Sequence, residues 1–543
     1  MLEQFPNELL LYLFDYLSPS DIFYSFSNLN LRLNSLISCF DLTQMSRKSL
    51  SLWTQSILPK YHITSLILSN KHLDLILELF HEDQLHSLIF TDLNFFQSSK
   101  LIYFKQLSYL SIQSMVANYS DNMFKTLLSL PKLDQCYLST TFELNFSINE
   151  LLPISNIRYL TVCLVDLNCL SKLFLSIPHI KYLNVTITSG YKWHTSSLIV
   201  PSNLKYLKLI LNDTISFDPI ESLIKMFQKL IFLSYSSENC RQNESHINNE
   251  KWQNILKSLP ILKQFQFYCE LSDRFDIVDA NRILSSFQID YFIKNKIYFA
   301  VLMDNTSHFI LHTIPYPNKK ASIRWNSFKV QLTSLNRVRN VYDYVRFLKI
   351  TVSGKTIPQI VLPQKYPNVD SLELNVTPIP VNILVAFLQY LSTIISYSKL
   401  KHLYLRTKYF SSSIFHEMFS QCQQLKTFNL AFNDVKNKLF SSDLNMRTVE
   451  TLILRYYLSL TNDKIYDLSS IFPNVKFLSI ELEQISLFMT TFDLLFEKLK
   501  NLVQFNLILY GEQQSQSAEW LQTIPMFQKY YITTNRGRLS VWV

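Results

Sequence analysis

Apolar residues along this chain follow a short phrase, [Leu/Ile/Val]-x-x-[Leu/Phe]-x-apolar, that returns from the first hundred residues to the last. Clear copies open at Leu107, Ile157, Ile180, Leu204, Val369, Leu400, Leu425, Val449, Val475 and Leu502, and weaker ones at Ile63, Leu85, Leu133, Leu230, Leu262 and Val345. The starts lie 22 to 32 residues apart, except for one gap of 83 between Leu262 and Val345. Alternation over five or six residues is the signature of a strand with one buried face. The stretches between copies, such as 122–130 and 173–177, carry apolar residues at helical spacing and end near a proline. The pattern therefore predicts a strand and a return segment repeated about every 25 residues.

This phrase resembles the leucine-rich repeat, with which most of the chain can be aligned. The resemblance implies an irregular α/β solenoid, with parallel strands on a concave face and helices on the convex one. Apolar positions of each strand turn inward and the intervening positions face outward. One feature of the family is sparse. The asparagine expected three residues after the last leucine occurs only at Asn212 and Asn433, and Thr188, Thr377, Lys408, Tyr457 or Glu483 stand there elsewhere.

The gap holds strand-like runs at 296–302 and 308–312, ended by Pro315 and Pro317. It reads as an irregular section or two or three degenerate repeats. The polar stretch 236–250 reads as an exposed loop, and the uncharged stretch 374–398 as a helix over 381–397 packed against strands. Its prolines and amides argue against a membrane span.

Residues 5–37 are different in kind. Pro6 suits the first turn of a helix, and Leu9, Leu10, Leu13, Phe14 and Leu17 follow on one face. Ser18-Pro19-Ser20-Asp21 starts a second short helix through Ile22, Phe23 and Phe26, and Asn28 or Asn30 can cap a third. Three short helices cannot cover these side chains among themselves, so a partner is implied. Phe5-Pro6-x-Glu8-Leu9-Leu10 and Tyr16-Leu17-Ser18-Pro19-x-Asp21-Ile22 resemble the F-box. In its last part Leu29 and Arg32 match, whereas Asn30 stands for the usual cysteine and Leu33 for the tryptophan. The resemblance implies a three-helix F-box over 1–45, a linker over 46–61, repeats over 62–269, the irregular section over 270–344, and repeats with a C-terminal cap over 345–543. By the same resemblance Pro6, Leu9, Leu10, Leu13, Leu17 and Ile22 would meet a Skp-type adaptor and, through it, a cullin-RING ligase core.

Composition narrows the alternatives. With 543 residues, 48% of them hydrophobic, the chain exceeds one compact core and suits several domains or an elongated array. Four glycines leave no phosphate-cradling loop. The net charge of +9 is spread as isolated lysines and arginines, without the basic run expected of a nucleic-acid binder. Seven scattered cysteines and the lack of a basic, apolar leader fit a cytoplasmic or nuclear setting.

Catalytic groups are not legible. His81 and His86 are five apart, one too many for a zinc-protease helix face. Cys163 and Cys169 lack a second pair. The expectation is a binding protein without metal, cofactor or enzymatic activity. Strand register places Tyr182, Tyr206, Lys208, His402, Tyr404 and Arg406 on the outward face, the residues expected to meet an unidentified protein substrate. A repeat scaffold with no ligase role is the alternative. An extracellular receptor, which would use sequons such as Asn118-Tyr-Ser120 and Asn375-Val-Thr377, is disfavoured.

Overall fold

The computed structural model describes residues 39–41, 65–69, 85–94, 99–113, 115–116, 121–138, 143–144, 153–189, 200–212, 215–240, 244–271, 277–303, 309–324, 329–332, 341–352, 365–377, 379–407, 417–431, 445–455, 462–482, 492–509, 531–535 and 538–542. The F-box-like residues Pro6, Leu9, Leu10, Leu13, Leu17 and Ile22 and the linker 46–61 lie outside them. The chain divides into two compact units, Met1–Asp273 with Ile289–Ile297, and Arg274–Gln288 with Tyr298–Val543.

Both units are α/β, built on a ladder of parallel strands. Each of the sixteen copies of the apolar phrase opens a strand two residues after its first leucine, isoleucine or valine. In the first unit the strands begin at Ser65, Ser87, Tyr109, Gln135, Tyr159, Tyr182, Tyr206, Phe232 and Gln264. In the second they begin at Phe347, Ser371, His402, Thr427, Thr451, Phe477 and Gln504. Neighbours pair in parallel and in register, as in Leu207↔Leu183 and Leu209↔Val185, or Leu372↔Leu403 and Leu374↔Leu405. The register follows from the period-two pattern, since a slip of one residue would turn every leucine outward. These leucines are the core: Leu160, Leu183, Leu207, Leu372, Leu403, Phe428 and Leu452 are each at most 1% exposed. A further strand, Cys39–Asp41, pairs in parallel with Ser65–Ser69.

One carbonyl per repeat joins each strand to the next. The residue before a strand accepts two backbone N–H groups of the following repeat: Lys181 O takes those of Lys205 and Tyr206, and Lys401 O those of Lys426 and Thr427. Among the described residues this satisfies two donors with one acceptor at the entry of successive turns.

Helices return the chain on the other side of the sheet. Helix α1 (Leu167–Ser176) is capped by Asp166, whose side chain accepts the Cys169 N–H, and it buries Leu167, Leu170, Leu173 and Phe174. Helix α2 (Phe217–Lys225) buries Phe217, Ile220, Leu223 and Ile224. Helix α3 (Asn249–Lys257), capped by Asn248, buries Trp252, Ile255 and Leu256. In the second unit α4 (Ile277–Ser286) lies against the strand Tyr298–Met303, where Phe287 and Phe299 meet at 4.5 Å. Helix α5 (Val381–Ile394) buries Ile383, Leu384, Phe387 and Leu391, in the stretch read as a packed helix. Among the described residues no helix is long and apolar enough to cross a membrane.

One expectation is corrected. The stretch 236–250 is not simply an exposed loop. The strand Phe232–Cys240 runs through its start, and Ser236, Ser237, His246 and Ile247 are buried. His246 accepts the Tyr235 hydroxyl at Nδ1, while its Nε2–H donates to Ile215 O at 2.7 Å. The Trp252 indole donates to His246 O at 2.7 Å, and Phe217 packs on the imidazole. A polar composition hid an anchor whose every polar atom has a partner.

In the section 270–344, read as irregular or as degenerate repeats, the described strands follow the irregular alternative. Tyr298–Met303 pairs antiparallel with Phe309–Ile314 and with Lys329–Leu332. Lys320–Arg324 pairs in parallel with Phe347–Val352 and so joins the ladder of the second unit. At the other end of that ladder, Tyr531–Asn535 and Arg538–Trp542 form an antiparallel pair against Gln504–Leu509.

A set of asparagines joins neighbouring repeats. Four asparagines immediately before the first apolar residue of a repeat donate through Nδ2 to a carbonyl one repeat back. They are Asn156 to Pro131 O, Asn368 to Asp343 O, Asn474 to Arg447 O and Asn501 to Pro473 O, at 2.8–3.1 Å. Three residues after the last apolar residue of the phrase, Thr188 and Thr377 bond the previous repeat through both backbone N–H and hydroxyl.

Candidate protein-interaction surface

Opposite the helices each sheet has an open face, formed by the residues between the buried leucines. In the first unit the first such position of successive strands brings Tyr159, Tyr182, Tyr206 and Phe232 into one row. Neighbouring rings lie 6.5, 6.3 and 6.3 Å apart, within range of aromatic attraction. Tyr109 and Tyr137 extend the patch, 5.5 Å apart. The side chains are only partly covered, and Tyr206 is 41% exposed.

The second row carries Thr161, Asn184, Lys208 and Ser234. Asn184 Oδ1 is covered without a hydrogen-bond donor, an acceptor that a bound N–H could satisfy. At the far end of these strands the Glu238 carboxyl is held above the ordinary carboxylate range. Desolvation dominates, the neighbouring Glu270 adds to it, and Lys208 opposes it. Tyr268 donates to Glu270 at 2.8 Å, which ties this acidic corner to the sheet.

The open face of the second unit has a different chemistry. Phe347, Ser371, His402 and Thr427 form its first row, and Lys349, Glu373, Tyr404 and Asn429 its second. Glu373, little exposed, takes Lys349 at 3.0 Å and Arg406 at 3.7 Å. Arg455 lies 3.6 Å from the buried Glu481. Gln504 donates to Asn506 at 3.1 Å, and Tyr404 stands 6.3 Å from Phe347.

The six residues expected to meet a substrate thus fall into two sets. Tyr182 and Tyr206 are direct neighbours, with Lys208 one position along, on the first unit. His402, Tyr404 and Arg406 share one strand face on the second. Sequence reasoning missed Tyr109, Tyr137 and Phe232 as members of the aromatic patch. The signal was present, because each occupies an outward position of a recognised copy. Among the described residues no group of three or more His, Cys, Asp or Glu side chains is placed to hold a metal ion.

No family model matches the chain, and no curated protein matches it. Among solved structures, the chain is similar to an internalin, InlF, from Listeria monocytogenes. The identity is 14%, with a TM-score of 0.20, over 91% of this chain and 95% of the internalin. At that score the likeness carries no argument, and the fold assignment stands on the strand pairing described above.

Proposed function

We propose that this chain is a protein-interaction scaffold of the leucine-rich-repeat type, acting as the substrate receptor of an SCF-type cullin-RING ubiquitin ligase. The observation that carries the scaffold reading is the pair of open sheet faces. Their outward positions carry a row of tyrosines on the first unit and Tyr404, Arg406 and Arg455 on the second, residue types enriched at protein interfaces. The ligase role rests on the F-box-like residues 5–37 alone.

In this reading Pro6, Leu9, Leu10, Leu13, Leu17 and Ile22 dock a Skp-type adaptor, and the sheet faces hold a protein substrate. The chain performs no chemistry of its own. It raises the effective concentration of substrate lysines near the charged ubiquitin-carrying enzyme. A cytoplasmic or nuclear location goes with it.

Co-purification with a Skp-type adaptor tests the proposal. The full chain is expected to retain the adaptor, and Leu9→Asp with Leu13→Asp to lose it while the repeat units melt unchanged. Equal retention by the full chain and by a version lacking 1–45 would remove the ligase role. The scaffold reading would then stand alone.

A further inference from the structure

The chain's positive charge, scattered in sequence, is gathered by the repeat. Lysines recur just before the strands, so the bifurcated carbonyl bonds that join the repeats also stack their side chains along one rim of the sheet. In the second unit Lys401, Lys426 and Lys476 occupy this place on three of four consecutive strands, with Glu450 on the remaining one. Arg447 joins them from the turn before Glu450. Together they line an open groove of about 540 Å³.

The groove's electrostatics are unbalanced. Among the described residues four cations face one carboxylate, and Glu450 is already engaged by Lys476 at 3.5 Å. Among the described residues no carboxylate lies within ion-pair distance of Lys401, Lys426 or Arg447, and all three are exposed. The remaining walls are largely amides: Gln423 and Gln424, with Asn474 and Asn501. Asn474 and Asn501 are pinned by donating to Arg447 O and Pro473 O, so the floor is held by the ladder that joins the repeats.

We propose that this rim groove binds an extended acidic peptide segment of a partner protein. Neighbouring strands lie ~4.8 Å apart, so Lys401 and Lys476 stand ~14 Å apart along the rim, the span of four or five residues of extended chain. Exposed glutamines suit the amides of a peptide backbone, and unpaired lysines and an arginine suit its carboxylates. Nucleic acid fits less well, because among the described residues no aromatic side chain lines the groove to stack a base. The groove is separate from the open sheet face, and the inference stands whether or not residues 5–37 dock an adaptor.

Fluorescence anisotropy with the full chain tests it. The probes are a short labelled peptide of alternating glutamate and serine, its glutamine counterpart, and a single-stranded DNA oligonucleotide of equal charge. The glutamate peptide is expected to bind, with affinity falling as salt rises. Lys401→Glu with Lys426→Glu should weaken it by about tenfold or more, as should Arg447→Glu with Lys476→Glu. Tyr182→Ala with Tyr206→Ala should leave it unchanged, as a control on the other surface. Unchanged melting of the charge-reversed variants keeps the comparison fair, since Lys401, Lys426 and Arg447 are exposed and Lys476 is partly so. Peptide binding that survives both charge reversals overturns the proposal. So does equal binding of the glutamine peptide, or tighter binding of the oligonucleotide through the same residues.

Discussion

The two units share a frame and differ in what they display on it. Each places buried leucines at alternate strand positions, in register from repeat to repeat. On the first the outward positions form an aromatic row, Tyr159 to Phe232, with few charges. On the second the same positions carry Lys349, Glu373, Arg406, Arg455 and Glu481 in ion pairs. The lesson is a division of labour within one phrase. The leucines of Leu-x-x-Leu-x-Leu decide that the strands stack, while the x positions decide what can bind, and either can change without the other.

The strongest way to break the comparison is to attack the frame. Leu207→Ala and Leu403→Ala each empty a fully buried site and should cost about 2–5 kcal/mol. Urea unfolding followed by circular dichroism should show one change acting on the transition of the first unit and the other on that of the second. A single transition moved equally by both would contradict separate units.

Acid should weaken both units. Burial lowers the imidazoles of His246 and His312 to about 4, from 6.5 in an unfolded chain. The unfolded state therefore takes up the proton first. Each histidine's contribution is complete above pH 6.5 and is lost as pH falls from 6.5 towards 4, by up to about 3 kcal/mol apiece. Melting temperatures measured across that window check the sign. His246→Ala should flatten the first unit's dependence and leave the second unit's intact.

A smaller effect concerns the joints between repeats. Asn474→Ala removes the bond to Arg447 O and should cost about 1 kcal/mol in the second unit only, read from its urea midpoint.

The smallest stability effects belong to the faces, where the comparison is sharpened instead. Glu373→Gln should move stability by less than about 1 kcal/mol, since its partners are solvent-exposed cations. Binding should separate the units more clearly. In proximity labelling, partners lost with Tyr182→Ala and Tyr206→Ala should persist at raised salt in the wild-type chain. Those lost with Arg406→Ala should be salt-sensitive.

How much of this was legible beforehand depends on how local the information is. A strand with one buried face writes itself as alternation within six residues, so all sixteen repeat strands, their outward residues and the pairing of Tyr182 with Tyr206 could be read from the sequence. What the sequence could not reveal was which strand an isolated apolar run would join. Tyr298–Met303 and Phe309–Ile314 look like repeat strands and pair antiparallel, because direction depends on the turn between them and on the neighbour available.

The anchor at His246 was equally hidden. A lone histidine in a polar run becomes a core residue only when Tyr235 and Ile215, 11 and 31 residues away, supply its partners. The asparagine bonds between repeats and the lysine rim have the same origin. Residues some 25 apart are strangers in sequence and neighbours across a strand spacing of ~4.8 Å. Sequence alone determined the repeat and its buried side, because those depend on short-range periodicity. Only the tertiary structure decided which distant polar groups meet, because hydrogen bonds and charge clusters act over a few ångströms of space, whatever their separation along the chain.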